Sequence, residues 1–264
     1  MSPILQLADI QAIRERVLEA LGDVPSLPRR PLPAPPPPSP STIGRYLDHT
    51  LLKPDATPAQ VRHLAAVARQ RGFAAACVNP RFVPLIVEVL ADAPVAACTV
   101  VGFPLGATTT PAKVHEAAEA LTAGARELDM VLPIGLLKAG AYRAVAEDIV
   151  AVVGLAHGWN ARVKVILETG LLTREEVVAA AVIAQHVGAD FVKTSTGFGP
   201  RGATVDDIAL LRAVVGTEMG VKAAGGIRTY EQALAMIRAG ASRIGASASE
   251  RIANEAQATL GSHG

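Results

Sequence analysis

The sequence predicts a single (β/α)₈ barrel preceded by a helix and a proline-rich segment. From Ser41 onward, short apolar runs alternate with longer segments of helical periodicity, and this strand-then-helix unit occurs eight times. Such alternation is typical of a parallel sheet with right-handed crossovers, and eight units in about 220 residues close a barrel. An open, doubly wound sheet is the alternative architecture. It is less favoured because no G-x-G-x-x-G sequence opens a helix after the first strand.

The N-terminal region differs in composition from the rest of the chain, so we divide the protein into an extension, residues 1–40, and a barrel domain, residues 41–264. Apolar residues recur at helical spacing between Leu7 and Leu21, which predicts an amphipathic helix over residues 4–21. Nine prolines between Pro25 and Pro40 favour polyproline II conformation. A semi-rigid spacer is favoured here over a PxxP ligand for a partner protein.

The barrel units can be assigned in order along the chain. The predicted strands are Tyr46–Leu51, Ala74–Val78, Val95–Val101, Glu127–Leu132, Arg162–Glu168, Phe191–Ser195, Val221–Ala224 and Arg243–Gly245. The predicted helices lie near residues 58–71, 81–91, 111–123, 136–157, 173–187, 204–216, 229–239 and 248–258. Glycines just past several of these helical runs fit helix C-termini.

Composition excludes several functional classes. Hydrophobic residues make up 50% of the chain and charged residues 19%, which allows a large core and excludes global disorder. Lys and Arg (25) nearly balance Asp and Glu (24), so we predict no nucleic-acid or membrane partner. Cys77 and Cys98 have neither a disulfide framework nor metal-ligand spacing. The N-terminus lacks a secretory pattern, and we predict a cytoplasmic protein.

Charged residues occur within the predicted strands, where side chains alternate between the two faces of the sheet. If the apolar neighbours face the helices, Lys164 and Asp129 point into the barrel, and Lys193 and Lys222 lie mid-strand. One interpretation is an internal ion-pair network that fills the barrel. The other is an amine nucleophile, since a lysine beside another ammonium group loses its proton more easily and can form a Schiff base. The three lysines outnumber the carboxylates predicted to face them, which favours the second interpretation, although spacing alone does not choose between Lys193 and Lys222.

Glycine-rich strand ends indicate a phosphate site. Gly225 and Gly226 follow the seventh strand, and Ser247 follows the eighth, just before the last helix. Exposed backbone N–H groups next to a helix N-terminus bind anions, and the loops after strands seven and eight commonly bind phosphate in such barrels. Gly197 lies in a similar loop after strand six. We also expect Asp48 and Thr50, at the end of the first strand, either to contact substrate hydroxyls or to have a structural role.

Eight separated motifs, in order, resemble deoxyribose-phosphate aldolase between about residues 43 and 258. They are LDHTLLKPDAT (47–57), CVNP (77–80), VGFPLGATTT (101–110), ELDMVLPIG (127–135), KVILETG (164–170), GADFVKTSTGFG (188–199), KAAGGIRT (222–229) and RIGAS (243–247). The resemblance implies a class I aldolase that cleaves 2-deoxy-D-ribose 5-phosphate into acetaldehyde and glyceraldehyde 3-phosphate. It implies no metal and no cofactor, because an iminium acts as the electron sink.

The resemblance also implies a role for each motif residue. Lys193 would form the Schiff base, Lys222 would be the neighbour that lowers its pKa, and Asp129 would transfer protons while Lys164 holds it in place. Gly225, Gly226 and Ser247 would bind phosphate. This chain has Ala248 where some relatives have a second hydroxyl, and Arg201 where relatives often have a small residue.

Two other functions compete with this interpretation. One is another phosphosugar enzyme on the same scaffold, such as an isomerase, which needs a base but no imine. The other is a non-catalytic phosphosugar-binding barrel whose proline-rich arm recruits a partner. The expected partners of an enzyme are phosphosugar and aldehyde substrates, and the sequence leaves open whether the chain forms a homo-oligomer.

Overall fold

A closed barrel of eight parallel strands, arranged in sequence order, forms the centre of the computed structural model, which describes residues 6–32 and 35–261. Each strand pairs with the next along the chain, and the last pairs back with the first. The strands are β1 Leu47–Leu51, β2 Ala75–Val78, β3 Ala96–Val101, β4 Glu127–Val131, β5 Arg162–Ile166, β6 Phe191–Lys193, β7 Gly220–Ala224 and β8 Arg243–Ala246. The predicted (β/α)₈ barrel is confirmed, and the open doubly wound sheet is excluded.

Helices surround this barrel in the predicted alternation. They are α1 Leu7–Leu21, α2 Pro58–Arg71, α3 Val83–Val89, α4 Thr110–Thr122, α5 Ile134–Lys138, α6 Tyr142–Gly158, α7 Arg174–His186, α8 Val205–Val215, α9 Tyr230–Arg238 and α10 Ser249–Gly261. Short 3₁₀ turns occur at Ile43–Tyr46, Pro80–Phe82 and Thr169–Leu171. No helix in the described part of the chain is long and apolar enough to cross a bilayer.

Threonine caps define where several of the barrel helices begin. The hydroxyl of an N-cap threonine accepts a hydrogen bond from the backbone three residues later at Thr57, Thr109, Thr173, Thr204 and Thr229. All but Thr109 also belong to a capping box, in which the side chain of the third helical residue bonds back to the N-cap backbone. These caps satisfy N–H groups that have no partner within the helix. Local sequence therefore sets the start of these five helices, and with it the length of the loop before each of them.

Three predicted boundaries are wrong. The single helix expected at residues 136–157 is two helices, α5 and α6, because Gly140 has φ +72° and interrupts the helical backbone between them. The strand expected to reach Glu168 ends at Ile166, since Glu168 itself lies in the left-handed region with φ +58°. The strand expected to reach Ser195 ends at Lys193.

The N-terminal extension packs on the outside of the barrel. The predicted helix is observed from Leu7 to Leu21, and its residues 4 and 5 lie outside the described part of the chain. Its buried face packs against α7 and α6, and consists of Ile10, Ile13, Val17 and Leu21. Fully burying each aliphatic side chain contributes about 1.5–3 kcal/mol. With α1 covering it, α7 is buried at every position from Val177 to Ala184.

After α1, the proline-rich segment follows the surface of the barrel. The Ser26 hydroxyl donates to the carbonyl of His186, and a Cβ on Gly188 would lie only 2.4 Å from the Leu27 carbonyl oxygen. Further along, the Tyr46 hydroxyl donates to the Pro36 carbonyl at 2.6 Å. The segment therefore contacts the barrel at several points. The division into residues 1–40 and 41–264 remains a prediction, as does any role of the segment in recruiting a partner.

Candidate active site

Charged side chains fill the barrel interior in two layers. Four cationic residues and three carboxylates are involved, and all are at least nine-tenths buried: Lys164, Lys193, Lys222, Arg243, Asp48, Glu127 and Asp129. The strand alternation correctly places Lys164 and Asp129 inward, since their neighbours Val163 and Met130 lie in the apolar core outside the barrel. Closing the barrel then brings the charges of six strands together.

Asp129 on β4 is the centre of the upper layer. Its Oδ1 lies 2.7 Å from Lys164 Nζ, and its Oδ2 lies 2.8 Å from Lys193 Nζ and 2.7 Å from Lys222 Nζ. Burial alone would raise the pKa of Asp129, but the three ammonium groups lower it well below its ordinary value. Asp129 is therefore an anion at neutral pH, and two lysines from neighbouring strands share one of its oxygen atoms.

The three lysines differ in how many carboxylates they contact. Lys193 has one partner, Asp129. Lys222 also contacts Asp48 Oδ2 at 2.5 Å. Lys164 also contacts Glu127 at 2.6 Å and Asp48 Oδ2 at 3.7 Å. Burial disfavours the charged form of Lys222, but Asp129 and Asp48 outweigh this and raise its pKa. Lys222 therefore keeps its positive charge beside Lys193.

The lower layer consists of Arg243, Glu127 and Asp48. The sequence analysis did not place Arg243 or Glu127 in the site, and it placed Asp48 at the end of the first strand. Arg243 on β8 contacts Asp48 at 2.7 Å and Glu127 at 3.1 Å. The ion partners of Asp48 and Glu127 lower the pKa of each carboxyl despite the opposing effect of burial. Glu127 and Arg243 were missed, although Glu127 stands two residues before Asp129 on β4 and so faces the same way.

Two expectations about charge need correction. The lysines were expected to have too few carboxylates to neutralise them, yet Asp48 and Glu127 join Asp129 in the interior. Asp48 was expected at the end of the first strand, but it is the second residue of β1 and lies beneath Lys222 with no exposed surface. Thr50, half-buried nearer the end of β1, donates its hydroxyl to the Asp48 carbonyl at 2.8 Å.

Cys77 and Cys98 also face the interior, and their sulfurs lie within 4.8 Å of each other and of an Asp129 oxygen. Cys98 Sγ is 3.3 Å from Asp129 Oδ1 and 3.4 Å from Lys164 Nζ. Two sulfurs and a carboxylate are metal-ligand types, but the ammonium groups already occupy both oxygens of Asp129. A divalent cation would be repelled by these lysines, so we assign no metal to this cluster.

The predicted phosphate-binding residues lie at the C-terminal mouth, above the lysines. Gly197, Gly225 and Gly226 have φ of +88°, +87° and +81°, a backbone conformation that favours glycine. Gly226 and Ser247 are exposed, and Ser247 lies two residues before the start of α10. A Cβ on Gly202 would lie 2.1 Å from the Gly225 carbonyl oxygen, so the loops after β6 and β7 touch through backbone.

Glu168 positions the loop after β6 and was not singled out from the sequence. Its Oε2 accepts one hydrogen bond from the backbone N–H of Thr196 at 3.1 Å and another from the Thr196 hydroxyl at 2.5 Å. The signal was the glutamate of the KVILETG motif, which is the last residue of a predicted strand. Arg201, which stands where relatives often have a small residue, donates hydrogen bonds to the Asp207 carboxylate and to the carbonyls of Thr169 and Gly202. These bonds give Arg201 a structural role.

Comparisons with known proteins agree with this architecture. The model of the DeoC/LacD family of aldolases matches residues 43–253. A deoxyribose-phosphate aldolase from Thermococcus gammatolerans is 58% identical over 217 residues, which cover 81% of this chain and 96% of that protein. One from Streptococcus suis is 53% identical over 216 residues, covering 82% and 97%.

Solved structures resemble the chain beyond the barrel. A putative deoxyribose-phosphate aldolase from Coccidioides immitis is 39% identical with a TM-score of 0.82, and the match covers 96% of this chain and 98% of that one. The tetrameric deoxyribose phosphate aldolase from Aeropyrum pernix is 33% identical with a TM-score of 0.78, covering 94% and 98%. On this sequence similarity and this barrel, the chain belongs to the DeoC/LacD family of aldolases and is a lyase that performs aldol cleavage.

Proposed function

We propose that the protein catalyses the reversible cleavage of 2-deoxy-D-ribose 5-phosphate into acetaldehyde and D-glyceraldehyde 3-phosphate through a Schiff base on Lys193. The names of its relatives support the substrate. One observation carries the choice of nucleophile. Lys193 and Lys222 share an oxygen of Asp129, but only Lys222 has a second carboxylate partner. Lys193 is the less strongly held ammonium group and stands last in its strand, nearest the mouth.

The reaction begins when the neutral amine of Lys193 attacks the C1 aldehyde of the open-chain sugar. The positive charge retained on Lys222 favours the neutral form of its neighbour, because two adjacent ammonium groups repel each other. Loss of water from the carbinolamine then gives an iminium ion. This cation withdraws electrons from C2 and allows the C2–C3 bond to break.

Bond cleavage requires a base for the C3 hydroxyl proton. Asp129 is the anion closest to both lysines, and its Oδ1 is fixed by Lys164. We assign it proton transfer, directly or through a water molecule held between Asp129 and Lys164. Glyceraldehyde 3-phosphate leaves, the enamine is protonated at C2, and hydrolysis of the iminium releases acetaldehyde and restores Lys193.

The phosphate of the substrate binds at the mouth in this proposal. Backbone N–H groups of Gly225 and Gly226, the Ser247 hydroxyl and the N-terminus of α10 provide donors and a favourable dipole. Gly197 lies in the adjacent loop, and Thr50 faces the same opening from β1. Asp48 contributes indirectly, by pairing with Lys222.

Borohydride trapping with acetaldehyde, read by intact mass and peptide mapping, tests the nucleophile. Wild-type protein should gain a reduced two-carbon adduct on Lys193. Lys193→Leu should lose the adduct and lower kcat by roughly 10⁴-fold or more. Lys222→Leu should still be trapped at high pH while its activity at neutral pH falls, and the exposed Lys138→Leu should behave as wild type.

Each alternative has its own result in this experiment. An adduct mapped to Lys222 would reverse the roles of the two lysines. Turnover of deoxyribose 5-phosphate without trapping would point to chemistry that needs no imine. Absence of both would support a phosphosugar-binding barrel without catalysis.

A further inference from the structure

A second pocket lies at the N-terminal mouth of the barrel, opposite the proposed active site. Its volume is about 200 Å³, and it is lined by Arg30, Ala96, Arg126, Glu127, Asn160 and Arg162. Ala96, Glu127 and Arg162 are the first residues of β3, β4 and β5, which places the pocket at the start of these strands. Arg30 comes from the N-terminal extension, so the pocket joins the two predicted parts of the chain.

The pocket carries an excess of positive charge. Within residues 6–32 and 35–261, none of its three arginines forms a salt bridge with a carboxylate. The guanidinium of Arg30 donates to the Ala161 carbonyl at 3.3 Å and to the side-chain oxygen of Asn160, and that of Arg126 donates to the Ala125 carbonyl at 3.1 Å. The carboxylate in the pocket, Glu127, is already bonded to Lys164 and Arg243.

Strand pairing explains why the arginines converge. Arg162 is paired in register with Glu127, and its backbone N–H donates to the Arg126 carbonyl at 2.9 Å. Arg162 also has the same parity as Lys164 along β5, so it belongs to the inward face at the bottom of the barrel. Arg30, from the N-terminal extension, is the third arginine that lines the pocket.

We propose that this pocket binds a small oxyanion, with a phosphate group as the chemical class, between Arg30, Arg126 and Arg162. Guanidinium groups present paired N–H donors that match the oxygens of phosphate, and such charge-assisted hydrogen bonds are strong. A water molecule occupies about 30 Å³, so the pocket holds a phosphate group and a few waters. Without an anion the three like charges repel one another, and a bound anion removes that repulsion.

The site is distinct from the proposed catalytic centre and does not depend on the proposed reaction. Arg30 lies outside residues 43–253, which the aldolase family model matches. Binding of an anion in this pocket would therefore give the extension a role of its own.

Equilibrium dialysis of the full chain with inorganic phosphate tests the proposal. Wild-type protein should show two sites per chain, one at each mouth. The Arg126→Gln/Arg162→Gln double variant should lose one site and keep wild-type kcat and KM, and Arg30→Gln should weaken that site by about tenfold or more. Gly226→Asp should lose the other site, and the exposed helix variant Arg238→Gln should keep both.

The outcomes separate the two proposals. Loss of one phosphate site in the double arginine variant supports the pocket at the N-terminal mouth. If Gly226→Asp keeps both sites, the phosphate site of the proposed reaction is wrong. An arginine double variant with wild-type stoichiometry and affinity overturns the inference. Arg126 is exposed, so Arg126→Gln alone carries the test where the double variant does not fold.

Discussion

The upper and lower layers of the barrel interior contain similar residues but differ in how their charges are paired. In the upper layer, Lys193 contacts one carboxylate that two other lysines also contact. In the lower layer, Arg243 lies between Asp48 and Glu127 and 5.3 Å from the ring centroid of Phe191. Lys193 thus shares its only carboxylate partner, whereas Arg243 has two carboxylate partners and an aromatic face. This difference supports our proposal that the upper layer carries the reaction, and it leads us to expect that the lower layer stabilises the barrel.

The largest effect that we expect is on catalysis, from Asp129→Asn in the upper layer. The variant keeps the size of the side chain but removes the base, so kcat for cleavage should fall by about 10²–10⁴-fold. Imine formation with acetaldehyde needs no C–C cleavage, so borohydride trapping should persist. Steady-state kinetics and intact mass measure both, with the exposed Asp206→Asn as control. Loss of trapping together with turnover would give Asp129 a role in forming the imine.

The next largest effect is on stability, from Glu127→Gln in the lower layer. Removing one member of a buried ion network leaves charge without full compensation, and costs up to about 3–5 kcal/mol of unfolding free energy. Catalysis by the folded protein should stay within about tenfold of wild type, a barrier change of at most about 1.4 kcal/mol. Urea denaturation and kinetics measure the two effects, with the exposed Glu119→Gln as control. A large kcat loss without destabilisation would remove the distinction between the layers.

The same unfolding free energies, measured at acid pH, test the contribution of the Glu127 carboxyl. The pKa of Glu127 is lowered in the folded state, so its contribution to stability is present above its unfolded pKa of about 4.3 and is lost as pH falls through the lower folded value. Glu127→Gln lacks this contribution at every pH. The difference in unfolding free energy between wild type and variant should therefore shrink between pH 6 and pH 3. A constant difference would show that the network does not couple to this carboxyl.

A smaller effect is expected at the mouth above the upper layer. Gly226→Asp places a negative charge where the phosphate is proposed to bind, and should raise KM for the phosphorylated sugar by about 10- to 100-fold. KM for unphosphorylated deoxyribose should not change. Gly216→Asp is the matched control, since Gly216 also has positive φ (+66°) and open space around it. Equal kinetics of wild type for the two sugars would remove the phosphate assignment.

The smallest effect on activity is expected from deleting residues 1–40. These residues supply none of the charged groups of the two layers, so kcat should stay within about tenfold of wild type. The melting temperature should fall, because the deletion exposes the apolar face of α7 that α1 covers. Calorimetry and kinetics on the truncated chain measure this. A folded, monodisperse truncation with activity lower by more than about 100-fold would place the extension in the site.

Much of this architecture follows from local patterns along the chain. Threonine caps and terminal glycines place the helices, and the period of two along β4 and β5 orients Asp129 and Lys164 inward. Local reasoning failed where one residue changed the backbone, as at Gly140, and where a strand ended early, as at Glu168.

The sequence by itself determined the fold class, the inward lysines and the glycine-rich loops, because these depend on periodicity and on residues near one another in the chain. Only the tertiary structure decided which charges meet. Asp129 contacts Lys193 and Lys222, and Arg243 contacts Glu127, because closing the barrel brings distant strands together. The position of a residue in the alternation along its strand specifies which face its side chain is on, but not which residue it contacts across the barrel. The number of carboxylate partners that each lysine has is a property of the closed barrel.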